Sequence, residues 1–116
     1  MSTGKARVFP GGATRDTDDD KLDYEAFLSV LTLPRYAEYM HSNRKQSDGE
    51  MRSGDNWQMG IPLEVYMKSL WRHLIEVWLL HRLGAENAEC NMEEALCAVI
   101  FNASGYLHEF LKKGQQ

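Results

Sequence analysis

Arg72, His73 and Glu76 interrupt an otherwise apolar, helix-like stretch of the sequence, "YMKSLWRHLIEVWLLHRLG". Residues three or four apart project from the same side of a helix, so these side chains form one cluster. One interpretation is a surface ion cluster in which Arg72 pairs with Glu76. The other is the polar centre of a site, because a half-buried imidazole and carboxylate need partners that offset their desolvation.

A second polar stripe lies in the last apolar stretch, where intervals of four, four and three residues separate Glu94, Ala98, Asn102 and Gly105. Such spacing places all four on one helix face. One interpretation is close helix packing over the two small residues, with Asn102 satisfying a buried polar group. The other is a groove in which the carboxylate and the amide face the first cluster. Carboxylates from two helices of a bundle commonly hold a divalent metal, and Mg²⁺ or Mn²⁺ leaves positions for polyphosphate oxygens.

Other candidates for contacts with a phosphorylated ligand lie outside these two stretches. In "RDTDDDKLDYE" the side chains of Arg15 and Lys21 can neutralise phosphate. In "DNWQMG" Asn56 offers an amide, and Trp57 can stack on a base or close a pocket. Each also has an ordinary explanation, as part of a solvated charge run or as a cover for the edge of a core. The basic residues between Arg35 and Arg52 are diluted by acids and read as a solvated loop.

The elements that must position these residues are predicted to be helices. Pro62 suits the first turn of a helix that runs to about Leu83, with an apolar stripe of Tyr66, Leu70, Leu74, Val77 and Trp78. Asn91 can cap a final helix that is apolar nearly all round. The stretch "SVLTLPRYAEYMHSNRK" is predicted to contain another helix with Pro34 in its first turn, while "KLDYEAFL" reads as a short strand or a helical turn.

The fold class predicted from this pattern is all-α, a small bundle of three to four helices with a long loop and an irregular N-terminal arm. Residues 1–20 are predicted to be the flexible arm, and residues 21–116 a single domain. The loop covers residues 46–61, which are rich in Ser, Gly, Asp and Asn. A loop of this length in so small a domain is often functional.

Composition excludes several classes of protein. A net charge of -4 argues against a nucleic-acid surface, and no apolar run approaches the roughly 20 residues that span a membrane. The start of the chain lacks the apolar core of a signal peptide, which predicts a cytoplasmic protein. Cys90 and Cys97 suggest neither a disulfide nor a zinc site.

Five segments, taken in order, carry a resemblance to a known family: "GATRDTDDDKLDYEAFL", "RYAEYM", "DNWQMGIP", "LWRHLIEVWLLHR" and "EEALCAVIFNASGYLHE". Over roughly residues 11–110 the chain resembles small phage proteins described as the N-terminal type of dATP/dGTP diphosphohydrolase. The shared features are a basic residue with an acidic and aromatic pair near the start, an Asn-Trp-x-x-Gly loop, an Arg-His helix, and a final helix with Asn before an apolar end.

The resemblance implies a MazG-like or MazZ-like nucleoside triphosphate pyrophosphatase in the cytoplasm of a phage-infected cell. Such enzymes use Mg²⁺ or Mn²⁺, release monophosphate and pyrophosphate, and assemble as homodimers or homotetramers. The implied catalytic residues are His73, Glu76 and Glu94, and the implied metal ligands are Glu76, Glu93, Glu94 and Asp23. The implied contacts to the nucleotide are Arg15, Lys21, Asn56, Trp57, Arg72 and Asn102.

This chain also departs from the pattern of that class, which has Glu-x-x-Glu on one helix and Glu-x-x-Asp on the next. Here the first motif is His73-x-x-Glu76, and Ala98 stands about where the Asp belongs. The departure favours an alternative function, a non-catalytic phage protein that binds or sequesters a nucleotide or binds a host protein. A third interpretation is an assembly protein in which Trp71 and Trp78 anchor an oligomer contact.

Overall fold

A computed structural model describes residues 6–17, 19–84 and 91–114 of the 116-residue chain. These residues contain four α-helices and one two-stranded sheet, which confirms the predicted all-α class. None of the helices in this part of the chain has both the length and the apolar character that crossing a membrane requires. The chain divides into two compact units, Met1–Leu33 and Pro34–Gln116. Cys90 lies outside the described residues, whereas Cys97 is buried as a free thiol.

The first unit contains a small β-hairpin in the segment predicted to be an irregular arm. Strand β1 (Ala6–Val8) pairs antiparallel with β2 (Thr14–Asp16). Gly12 makes the turn possible, because its φ of 89° is a conformation that other residues rarely adopt. Strands of three residues are too short to leave an alternating pattern in the sequence, which explains why the sequence does not predict them. Helix α1 (Tyr24–Phe27) follows, so the stretch "KLDYEAFL" forms a helical turn.

The second unit begins in the first turn of α2 (Thr32–Ser42). The predicted long loop follows, and it has internal structure. A β-bridge between Lys45 and Met51 closes its first part, and a 3-10 helix (Asn56–Met59) forms its second part. Gly60, with a φ of 109°, ends the 3-10 helix and turns the chain toward the next helix.

Helices α3 (Leu63–Leu83) and α4 (Met92–Lys113) form the centre of the second unit. Pro62 precedes α3, and Gly84 ends it with a φ of 93°. Asn91 caps α4 as predicted, since its Oδ1 accepts a hydrogen bond of 2.8 Å from the backbone N–H of Glu94. Near the start of α3, Tyr66 packs against Phe101 and Gly105 of α4. Lys112 at the end of α4 bonds to Gln58, just before α3, so the two helices are antiparallel.

Tyr66 is the one large side chain in the described residues that is fully buried, with 1% of its surface exposed. Its ring meets Phe101 edge to face, with 5.8 Å between the centroids. Gly105 makes room for it, because a Cβ at that position would overlap the Tyr66 ring. Ala98 and Asn102 are also buried on this face of α4, so the predicted stripe of small residues is a helix-packing surface.

Candidate functional site

A pocket of about 180 Å³ opens on the second unit between α2, the long loop and α4. Its walls combine aromatic and aliphatic side chains with two amides, two hydroxyls and two guanidinium groups. The lining residues are Tyr39, Met40, Asn43, Arg44, Arg52, Ser53, Gly54, Asn56, Trp57, Ile61 and Phe101. No carboxylate is among them, so the charge carried by the pocket is positive.

Trp57 is held in the pocket wall by α3 and α4. Its ring meets His108 of α4 edge to face, with a centroid distance of 4.7 Å. The hydroxyl of Tyr66 donates to the backbone carbonyl of Trp57 at 3.5 Å. From α4, Lys112 Nζ reaches the carbonyl of the next residue, Gln58, at 3.4 Å. The 3-10 helix that carries Asn56 and Trp57 is therefore fixed to the helical core.

Arg44 and Arg52 come from the two ends of the loop segment that the Lys45–Met51 bridge closes. Arg52 Nη2 donates to the carbonyl of Asn43 at 3.0 Å, and Arg52 Nε donates to the carbonyl of Arg44 at 3.5 Å. A guanidinium has five N–H donors. These bonds therefore orient Arg52 while leaving donors that can serve an anion.

The combination of groups in the pocket selects for a particular ligand chemistry. Aromatic faces favour a flat ring, amides fix its orientation, and guanidinium groups bind carboxylate or phosphate. A volume of about 180 Å³ is smaller than the roughly 300–1,000 Å³ of pockets that enclose a drug-sized ligand. The pocket therefore suits one ring and an adjoining anionic group, and a longer ligand would extend beyond its mouth.

The polar cluster predicted on α3 lies outside this pocket. His73 Nδ1 and Glu76 Oε2 are 3.2 Å apart, and 30% and 26% of their side-chain surfaces are exposed. Arg72 donates from Nη2 to the hydroxyl of Ser69 at 3.1 Å. His73 and Glu76 therefore satisfy each other at the half-buried edge of α3, which is the pairing that their spacing predicts.

The acids predicted on α4 occupy its first turn, where negative charge favours the positive end of the helix dipole. Glu93 Oε1 accepts a hydrogen bond of 2.6 Å from Arg35 Nε, and this bond is the main cause that raises the pKa of Arg35. Glu94 is exposed. Asn102 donates from Nδ2 to the carbonyl of Ala98 at 2.8 Å, so its amide bonds to its own helix.

The expected Mg²⁺ or Mn²⁺ site can be tested against these positions. Among residues 6–17, 19–84 and 91–114, no three His, Cys, Asp or Glu side chains form a group that could hold a metal ion. Glu76 and Glu93 instead contact His73 and Arg35. Within the described residues of one chain the implied metal site is therefore not preformed, and metal binding stays a prediction.

Three of the predicted residues belong to the first unit. Arg15 lies in β2, opposite Arg7, and Lys21 is exposed before α1. Asp23 caps α1, since its Oδ1 accepts a hydrogen bond of 3.0 Å from the backbone N–H of Ala26. Their roles toward a nucleotide stay predictions.

Of the predicted nucleotide contacts, Asn56 and Trp57 line the pocket, and they are joined there by residues that the sequence does not single out. Arg44 and Arg52 were assigned to a solvated loop, because intervening acids dilute the basic charge of that segment. The signal that could have identified them is their position on either side of the Ser-Asp-Gly turn at residues 47–49, which brings separated side chains together.

Comparison of the chain with protein-family models, with curated proteins and with solved structures found no match.

Proposed function

We propose that this protein binds nucleoside triphosphates, with dGTP and dATP as first candidates, and hydrolyses them to monophosphate and pyrophosphate in a metal-dependent reaction. The observation that carries the proposal is the pocket in which Trp57 and Asn56 meet Arg44 and Arg52 with no carboxylate in the wall. The preference for these two nucleotides and the pyrophosphate product rest on the family resemblance.

The pocket supports nucleotide binding because its groups match the two ends of a nucleoside phosphate. The base would lie among Trp57, Tyr39 and Phe101, where flat rings contribute contact area and stacking. A phosphate would lie at the guanidinium groups, which bind phosphate oxygens in pairs. Since the volume suits a ring and one adjoining group, the outer phosphates would reach beyond the mouth.

The hydrolytic half of the proposal rests on different residues. The hydrogen-bonded His73 and Glu76 form an imidazole and carboxylate pair that is suited to move a proton. The proposal includes assembly into a homodimer or homotetramer, which would bring acids of more than one chain together.

A second candidate function is nucleotide sequestration without turnover. The specific observation in its favour is that two of the implied metal ligands, Glu76 and Glu93, are already paired with His73 and Arg35. Binding and turnover therefore need separate measurements.

Binding is tested by calorimetric titration of the full chain with dGMP, dGTP and dATP. We expect Arg44→Gln and Trp57→Ala to weaken binding at least tenfold. The matched controls are Lys45→Gln, next to Arg44, and Met59→Ala, in the same 3-10 helix and 83% exposed. Both controls lie outside the pocket wall, so equal losses in controls and pocket variants would contradict the assignment of the pocket.

Turnover is tested by incubating the protein with each triphosphate and Mn²⁺ and separating the products by chromatography. We expect monophosphate that disappears in Glu76→Gln and persists in Glu38→Gln, an exposed carboxylate on α2. Thermal stabilisation by nucleotide without any product supports sequestration. Neither stabilisation nor product with any nucleotide would refute both candidate functions.

A further inference from the structure

Helix α3 carries a continuous apolar surface that faces solvent. Its members are large side chains with 39–60% of their surfaces exposed, namely Met67, Trp71, Leu74, Ile75 and Trp78. We call this surface the α3 stripe. It adjoins a groove of about 380 Å³ that is lined by Trp71, Leu74, Ile75, Val77, Trp78 and His81. Exposed patches of this kind mark interaction sites, since burial of apolar surface is favourable.

The spacing along the stripe identifies what fits it. Met67, Trp71, Leu74 and Trp78 are separated by four, three and four residues, which is the alternation of a coiled-coil seam. This order of intervals is the same read in either direction. An antiparallel second copy therefore presents the same spacing, with Trp71 of each copy against Leu74 of the other and each Met67 against a Trp78.

The charges at the two ends of α3 agree with that arrangement. Glu64 lies in the first turn, and His81 and Arg82 lie in the last turn. The intervals from Glu64 to Met67 and from Trp78 to His81 are both three residues. In an antiparallel pair, the acidic end of each helix thus lies beside the basic end of the other. A parallel pair would place like charges together, which is unfavourable.

The area available is also of the right size. From their exposed fractions, the five side chains of the stripe present on the order of 500 Å² of surface. A standard stable interface buries about 800 Å² on each partner. The flanking residues of α3, which include Glu64, Lys68 and Arg82, supply the polar rim that such interfaces have.

We propose that a second copy of this chain binds the α3 stripe, so that two α3 helices pack antiparallel about a two-fold axis near residues 72 and 73. The two-fold makes the interface self-complementary. The residues of the stripe and those that line the pocket are different sets. The inference rests on the part of the proposed function that assembles identical chains, and it names the surface that joins them. Nucleotide binding at the pocket is measured separately, and its failure would leave this inference standing.

The test is the mass of the full chain in solution, measured by sedimentation and by light scattering between 1 and 100 μM. We expect twice the chain mass of 13.3 kDa. Leu74→Glu places two carboxylates near the two-fold, and we expect it to raise the dimer dissociation constant at least 100-fold. The control is Val65→Glu, at an α3 residue that is 53% exposed but lies outside the stripe. Circular dichroism verifies that each variant keeps its helices.

A charge exchange tests the antiparallel direction without disturbing the apolar centre. We expect Glu64→Lys and Arg82→Glu each to weaken the dimer, and the double variant to recover most of the loss. A monomer at 100 μM, a dimer insensitive to Leu74→Glu, or single variants whose losses add in the double variant would each overturn the proposal. A chain that is monomeric alone but captures a host protein through the stripe would also overturn it.

Discussion

Replacing Gly105 by Ala tests how α3 and α4 are held together. Gly105 is buried against Tyr66, and an added Cβ would overlap the ring and the hydroxyl. Tyr66 has little freedom to move away, since 1% of its surface is exposed and Phe101 packs against its ring. The helices must separate, or the ring must leave its place.

The expected change in the free energy of unfolding caused by Gly105→Ala follows from two opposing contributions. An alanine in a helix is more stable than a glycine by about 1 kcal/mol. Overpacking a buried site costs about 1–3 kcal/mol, and rigid surroundings favour the upper end. Since the overlap involves ring atoms of a fully buried side chain, we expect a net loss of about 2 kcal/mol in Gly105→Ala.

The assay is urea unfolding followed by tryptophan fluorescence at one fixed protein concentration, because assembly would make stability depend on concentration. Ser104 is exposed on the same turn of α4, so the variants Ser104→Gly and Ser104→Ala measure the difference in helix propensity without a steric conflict. Tyr66→Leu in the Gly105→Ala background removes the ring and should recover part of the loss.

A gain in stability for Gly105→Ala equal to the difference between the two Ser104 variants would refute this reasoning, because it would show that no close contact exists.

The Gly105→Ala variant also links the packing of α3 and α4 to the pocket. Tyr66 donates to the carbonyl of Trp57, so a displaced Tyr66 should also weaken nucleotide binding.

Other predictions follow from the caps and from buried ionisable groups. Burial raises the pKa of Tyr36 from 10.0 to about 12, so the neutral phenol stabilises the fold fully below pH 10 and that contribution is lost as the pH rises through 12. Partial exposure reduces the effect. Between pH 10 and 12 we expect the free energy of unfolding to fall by about 1 kcal/mol less in Tyr36→Phe than in the wild type, as measured by unfolding titrations. Asn91→Ala removes the cap of α4 and should cost about 1 kcal/mol, whereas Asn91→Gly should cost only a few tenths; equal losses would contradict the capping role. Burial also raises the pKa of Cys97, so its thiol should react slowly with a thiol reagent at pH 8 in the native protein and quickly in urea.

Local sequence signals were sufficient to predict where the long helices begin and end. Pro62, Gly84 and Asn91 mark ends of α3 and α4 that the structure confirms, because caps and stops act within a few residues. The β-hairpin around Gly12 was missed, because strands of three residues carry too little periodicity.

The pocket could be predicted only in part. Asn56 and Trp57 stood out by residue type, but Arg44 and Arg52 are brought to the same wall by the fold of the loop and not by spacing. The apolar stripe predicted on α3 is only partly buried. Leu74 and Trp78 belong to that stripe, yet 41% and 58% of their surfaces are exposed. Apolar periodicity indicates which residues avoid water, but it does not say whether the cover comes from the same chain.

The small number of fully buried side chains has a consequence for how the protein behaves in a cell. Tyr66, Ala95, Cys97 and Ala98 form the buried hydrophobic core of the described residues, while both tryptophans of α3 remain largely in water. If the second copy covers the stripe, much of the apolar burial that stabilises the fold is gained only on pairing. The folded fraction would then rise with the amount of protein synthesised, and a chain present at low abundance would be the preferred target of proteases.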